Sequence, residues 1–145
     1  MFQHLLLPTD GSPLSAAGIG MGIRFARSIN AKVTGFHVMP KFHVFTYRTE
    51  MLEDTKMQFA ADSRIHSQKY LAVIEREASK AGVICDTDQA TSDHPYLAII
   101  QAAEEKKCDL IVMASHGRGG VQGLLLGSET HKVLTHSRIP VLVYR

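Results

Sequence analysis

Short apolar runs alternate with amphipathic stretches along this 145-residue chain, and that order predicts an α/β domain: a three-layer open sheet of five parallel strands with helices on both faces. Two observations carry the expectation. Strand-like runs and helix-like stretches succeed one another from end to end, which calls for crossover connections and a parallel sheet. The run DLIVMA at 109–114 is apolar on both faces, as a central strand covered by helices must be.

The elements follow in order. HLLLPT at 4–9 is a buried strand that stops at Asp10-Gly11-Ser12-Pro13, where Ser12 is suited to cap a helix and Pro13 to begin it. Leu14, Gly18, Met21, Phe25 and Ile29 then recur at helical spacing and are expected to face inward, with Asn30 ending the helix. KVTGFHVM at 32–39 is the second strand. The stretch 40–55, with Phe42, Phe45 and Tyr47, has no clean period and reads as a long connection with some irregular helix. A long helix follows, with Ala60, Ser67, Leu71, Ile74, Ala78 and Ala81 on its inner stripe and Gly82 as its stop. The weak alternation of 83–90 suits an edge strand. Asp93 is expected to open a third helix, with Leu97, Ile100 and Ala103 facing inward. After the strand at 109–114 come a glycine-rich loop at 115–126, a short helix at 128–137 and a last strand, IPVLVY, at 139–144.

The length fits a single domain, 1–145, able to bury roughly 68–70% of its unfolded surface. With 45% hydrophobic and 21% charged residues and a net charge of +2, no basic stripe is available for nucleic acid. No secretory leader or membrane span is evident, so the expected location is the cytoplasm. Cys85 and Cys108 lie far apart, outside any CxxC, and read as small core residues.

In such sheets a ligand lies beyond the carboxyl ends of the strands. Two loops there carry chemistry. After the fourth strand stands SHGRGGVQGLLLGSETHKV, with five glycines between Gly117 and Gly127. Residues without a Cβ let backbone N–H groups approach phosphate, and the helix beginning at Gly127-Ser128 would turn its positive end toward an anion. The same loop read blandly is a surface turn with Ser128 as an ordinary cap. It is not a Walker A loop, because no GK[ST] is present. After the first strand, Asp10 faces the same crevice. Since Ser12-Pro13 supplies the cap, Asp10 has no obvious duty there, and a carboxylate beside a phosphate chain, if the loop holds one, calls for Mg²⁺ between them. Asp10 is therefore the candidate metal contact, against the alternative of a solvated turn aspartate.

LLLPTDGS, GFHVMP, DLIVMASHG, LLGS and IPVLV stand in the order found in the universal stress proteins, and the spacing from Gly117 across nine residues to Gly127-Ser128 resembles the nucleotide loop of their ATP-binding members. The first glycine of that pattern is replaced by Ala114, which adds a methyl that would crowd the ribose side if it lay against the sugar. The resemblance implies a Rossmann-like sheet of order 3-2-1-4-5 and an adenine nucleotide, ATP or else ADP or AMP, bound with Mg²⁺. It implies that Pro8 and Thr9 flank the base or ribose and that the backbone of Val38 meets adenine. His116 and Arg118 either touch phosphate or face water. Glu129, in the first turn of the last helix, either lies at the phosphates or only answers the helix dipole.

The function expected is a nucleotide-binding regulatory module of the stress response. The alternatives are a slow ATP hydrolase and a dimerising scaffold with an empty pocket. With only Arg118, His116 and one metal as candidates for stabilising a transferred phosphoryl group, any ATPase activity is expected to be weak. A phosphoacceptor receiver domain is excluded, because 89–91 holds no aspartate and IPVLVY is not followed by lysine. The last strand, 139–144, is expected to be an edge that pairs two copies into a homodimer.

Overall fold

The computed structural model describes residues 1–43, 49–117 and 126–145, with the side chains of 49–52 left aside. Five strands and four helices alternate: β1 (His4–Thr9), α1 (Pro13–Ser28), β2 (Lys32–Met39), α2 (Thr49–Ala81), β3 (Cys85–Thr91), α3 (Pro95–Glu105), β4 (Leu110–Ala114), α4 (Ser128–His136) and β5 (Val141–Tyr144). The strands form one sheet in the order β3-β2-β1-β4-β5, every pair parallel, so β1 lies at the centre and β3 and β5 are edges.

The period of two divides the apolar residues between two cores. Leu5, Leu7, Val33, Leu110 and Val112 face α1 and α2, meeting Ile19, Ile23, Leu71 and Ile74. Leu6, Phe36, Ile111 and Met113 face α3 and α4, meeting Ile99, Ala102, Ala103 and Val133. Burying chains of this size contributes about 1.5–3 kcal/mol each, which makes the two faces the main source of stability.

Three helices end in one way. Asn30, Gly82 and Lys107 adopt positive φ of 58°, 69° and 56°. The next residue in each case returns its amide to the carbonyl five residues back: Ala31 to Ala26, Val83 to Ala78 and Cys108 to Ala103, at 2.8–2.9 Å. These are Schellman stops, and each turns the chain directly into the following strand.

The structure corrects several expected details. On α1 the buried residues are Ser15, Gly18, Ile19, Gly22, Ile23 and Ala26, while Met21 is 40% exposed. The helix packs so close to the sheet that a Cβ on Gly22 would stand 2.6 Å from Leu7, so Ser15, Gly18, Gly22 and Ala26 share the buried face with Ile19 and Ile23. On α3 the inward set is Ile99, Ala102 and Ala103, and Leu97 is 48% exposed. Asp93 does not cap α3. Its carboxylate is 2.8 Å from His43 Nε2, and the cap position is His94, whose side chain bonds no helical amide. α2 begins at Thr49 rather than after 55, and β3 runs to Thr91. Phe45 and Tyr47 lie outside the described residues. The inner stripe of α2 is as expected at Ser67, Leu71, Ile74 and Ala78. No helix among the described residues is long and apolar enough to cross a membrane.

Candidate functional site

The loops after β1 and β4 and the start of α4 meet at the carboxyl edge of the sheet, where β1 has β2 on one side and β4 on the other. The strand order reverses here, and a cavity of about 520 Å³ opens, within the ~300–1,000 Å³ usual for small-molecule sites. Its walls include Pro8, Thr9, Asp10, Val38, Ala114, His116, Gly117, Gly127, Ser128 and Glu129. Ten of the expected site residues thus come together, and Arg118 lies outside the described residues. Gly119, Gly120 and Gly123 also lie outside them.

The β1–α1 loop is built from side chain to backbone bonds. Ser12 caps α1 as expected, its hydroxyl accepting from the Ser15 N–H at 3.2 Å. Asp10 does have a local duty, contrary to expectation: its Oδ1 accepts from the Ser12 N–H at 2.9 Å, an Asx turn that fixes the carboxylate at the cavity. Thr9 Oγ1 accepts from the Gly11 N–H and the Ser15 hydroxyl at 3.1 and 3.0 Å. Gly11 has φ of +78°, and the ring of Tyr70 occupies the space that a side chain would need.

The β4–α4 loop is drawn against this first loop. A Cβ on Gly117 would overlap Asp10 Oδ2, and one on Gly127 would stand 3.1 Å from the Ser115 carbonyl oxygen. That carbonyl accepts from the Gly127 N–H at 2.6 Å. Gly127, rather than Ser128, is the cap position of α4, so among the described residues no capping side chain answers the first helical amides. His116 Nδ1 is 3.0 Å from the Ser115 hydroxyl, while its Nε2 is shielded from solvent and meets no hydrogen-bond partner among the described residues. A shielded, unpaired ring nitrogen at a cavity wall suits a polar ligand.

The methyl of Ala114, a residue that lines the cavity, has a neighbour in α1. It stands 3.7 Å from the place of a Cβ on Gly18, against α1, and the Ala114 carbonyl accepts from the Thr130 hydroxyl at 2.9 Å. Glu129 reaches across to α3, where Oε2 accepts from the Tyr96 N–H at 2.9 Å. The sequence reading missed the apolar floor, made by Phe36, Ile99 and Met113 beside Val38, and the wall at Pro95. These residues carry the same signal as any core residue.

Among the described residues no group of three His, Cys, Asp or Glu could hold a metal alone. The carboxylate of Asp10 at the cavity fits Mg²⁺, which takes one or two carboxylates and fills its remaining positions with phosphate oxygens and water. Both thiols are far from reactive: burial pushes Cys85 up to about 11 and Cys108 up to about 12.

Comparison with known proteins identifies the family of the chain. The universal stress protein YxiE of Bacillus subtilis is 32% identical over 149 residues, covering all of both chains. The structure of the universal stress protein UspA of Lactobacillus plantarum superposes with a TM-score of 0.85 at 20% identity, over 99% of this chain and 98% of that one. A universal stress protein in complex with cAMP superposes with a TM-score of 0.71 at 25% identity, over 99% and 96% of the two chains. The profile of the universal stress protein family matches residues 1–145 from end to end, so this chain belongs to that family.

Proposed function

We propose that the chain is an adenine-nucleotide-binding regulatory module of the cytoplasm, that its ligand is ATP carried with Mg²⁺, and that it works as a homodimer. One observation carries the reading: the cavity joins an apolar floor to an uncapped helix start. Phe36, Val38, Ile99 and Met113 offer the base an apolar surface. At the other end, Gly117 and Gly127 leave the backbone bare, and the α4 amides turn their positive end toward the cavity. The cAMP complex of a relative supports an adenine nucleotide as the ligand class.

Mg²⁺ would be held by Asp10 with the phosphates, and when bound it neutralises charge on the phosphate chain. The chain's own residues orient: the Asx turn holds Asp10, the Ser115 carbonyl holds Gly127, and Ser128 presents its hydroxyl at the helix start. For assembly, β5 is an edge of the sheet among the described residues, and Leu142 within it is 44% exposed.

Mass spectrometry of the nucleotide released on denaturing freshly purified protein tests the reading. ATP in near-stoichiometric amount supports it. ADP alone would favour slow hydrolysis, and no nucleotide, together with no binding of added ATP, would favour a scaffold.

A further inference from the structure

The cavity proposed to take an anionic ligand is itself acidic: the described residues lining it include Asp10 and Glu129 and neither lysine nor arginine. Asp10 has its place in the magnesium reading. Glu129 does not, and its position is well defined. It is the second residue of α4, and its Oε2 accepts from the amide of Tyr96, the second residue of α3. Its Oε1 lies 3.3 Å from the ammonium of Lys132, which also stands 5.4 Å from the centre of the Tyr96 ring. One carboxylate thus answers the positive end of α3 while sitting in the first turn of α4, and the charge-assisted bond fixes it on the cavity wall.

A phosphate chain directed at the start of α4 would lie in the cavity whose wall carries this carboxylate. Each added phosphate charge meets a like charge nearby, and Lys132 cancels only part of it because its side chain is 46% exposed. Resting on the nucleotide reading above, we propose that Glu129 is a specificity-determining residue whose charge discriminates against metal-free polyphosphates, so that ATP enters as its magnesium complex. At separations of one phosphate group and a dielectric near that of the surface, the effect on metal-free ATP relative to adenosine is about three- to tenfold.

Glu129→Gln separates charge from shape, because the amide oxygen can still accept from the Tyr96 N–H. The experiment is calorimetric binding of adenosine, AMP and ATP, each with Mg²⁺ and with EDTA, and it reads the ratio of ATP to adenosine affinity. Glu129→Gln raises that ratio about three- to tenfold in EDTA and much less in Mg²⁺. Lys132→Met, which removes the partial counter-charge, shifts the EDTA ratio the opposite way. A purely structural role for Glu129 would change all three ligands alike and would give Lys132→Met no opposite sign. Ratios that do not move in either variant, both shown folded by circular dichroism, overturn the proposal while leaving nucleotide binding intact. A wild-type chain that binds none of the three ligands overturns the nucleotide reading itself, and this proposal with it.

Discussion

Gly117 lies directly against the carboxylate of Asp10, so that no side chain fits between the loop after β4 and the loop after β1. The glycine is required by the protein's own packing, whatever a ligand adds. Gly117→Ala must displace a carboxylate that accepts from the Ser12 N–H. The expected cost is about 1 kcal/mol, or roughly 2–4 °C in a domain of this size. Scanning calorimetry without ligand measures it, and an unchanged midpoint would show that the two loops can part freely.

Asp10→Asn tests the metal contact. The asparagine oxygen still accepts from Ser12, so the Asx turn survives while the charge is lost. ATP affinity should fall about tenfold or more with Mg²⁺ and stay level or improve in EDTA, where a repulsive charge has gone. Titration calorimetry under the two conditions decides: equal losses in both would remove Asp10 from metal binding.

His4 gives the fold a pH dependence at the other end of β1. It is 7% exposed, and its Nε2 is 2.7 Å from the Thr34 hydroxyl. Burial, with Lys32 nearby, holds its pKa below the ordinary 6.5, while Asp86 and Asp109 offset part of that effect. The folded state therefore favours the neutral ring, and the unfolded state takes up the proton first as pH falls. Stability from this group is fully present above pH 6.5 and declines as pH drops from there through the lowered folded value. Thermal midpoints from pH 8 to 5 should show wild type losing more than His4→Gln below pH 6.5. Parallel curves would show that other groups set the acid limb.

The sheet was legible because apolar runs such as LLL and LIVM have no other place than a covered strand, and the stops at Asn30 and Gly82 are local chemistry. The faces of α1 and α3 were less so. Reading large apolar residues as inward put Met21 inside, whereas close approach to the sheet selects Gly22 and Ser15 beside the expected Gly18. At the site, glycines and Asp10 stand out because their types are unusual at those places. The floor does not, because Phe36 and Met113 alternate like core residues whether a helix or a ligand covers them. Long-range partnerships such as Glu129 with Tyr96, or His43 with Asp93, are fixed by how helices pack and leave no trace in local sequence.

The edge strand β5 is where the proposed homodimer would pair, and the sheet's own hydrogen bonds identify which residue tests it. Ile111 and Ser115 donate their N–H groups to the carbonyls of Pro140 and Tyr144 at 2.9 and 2.7 Å. In a strand the N–H and C=O of one residue point to the same side, so 140, 142 and 144 face β4 while Val141 and Val143 face outward. Leu142→Pro would therefore damage the sheet inside one chain and report little about assembly. Val143→Pro removes an outward N–H and leaves the β4 side intact, a placement that edge strands tolerate. Two copies pairing through this edge about a two-fold axis would lose a ladder bond in each, and the dimer should weaken by tenfold or more. Light scattering on wild type and Val143→Pro at micromolar concentration, with the near-ultraviolet dichroism of each, gives the answer. A wild type with the mass of one 16.0 kDa chain, or a folded variant that dimerises as tightly as wild type, would rule out β5 as the pairing edge.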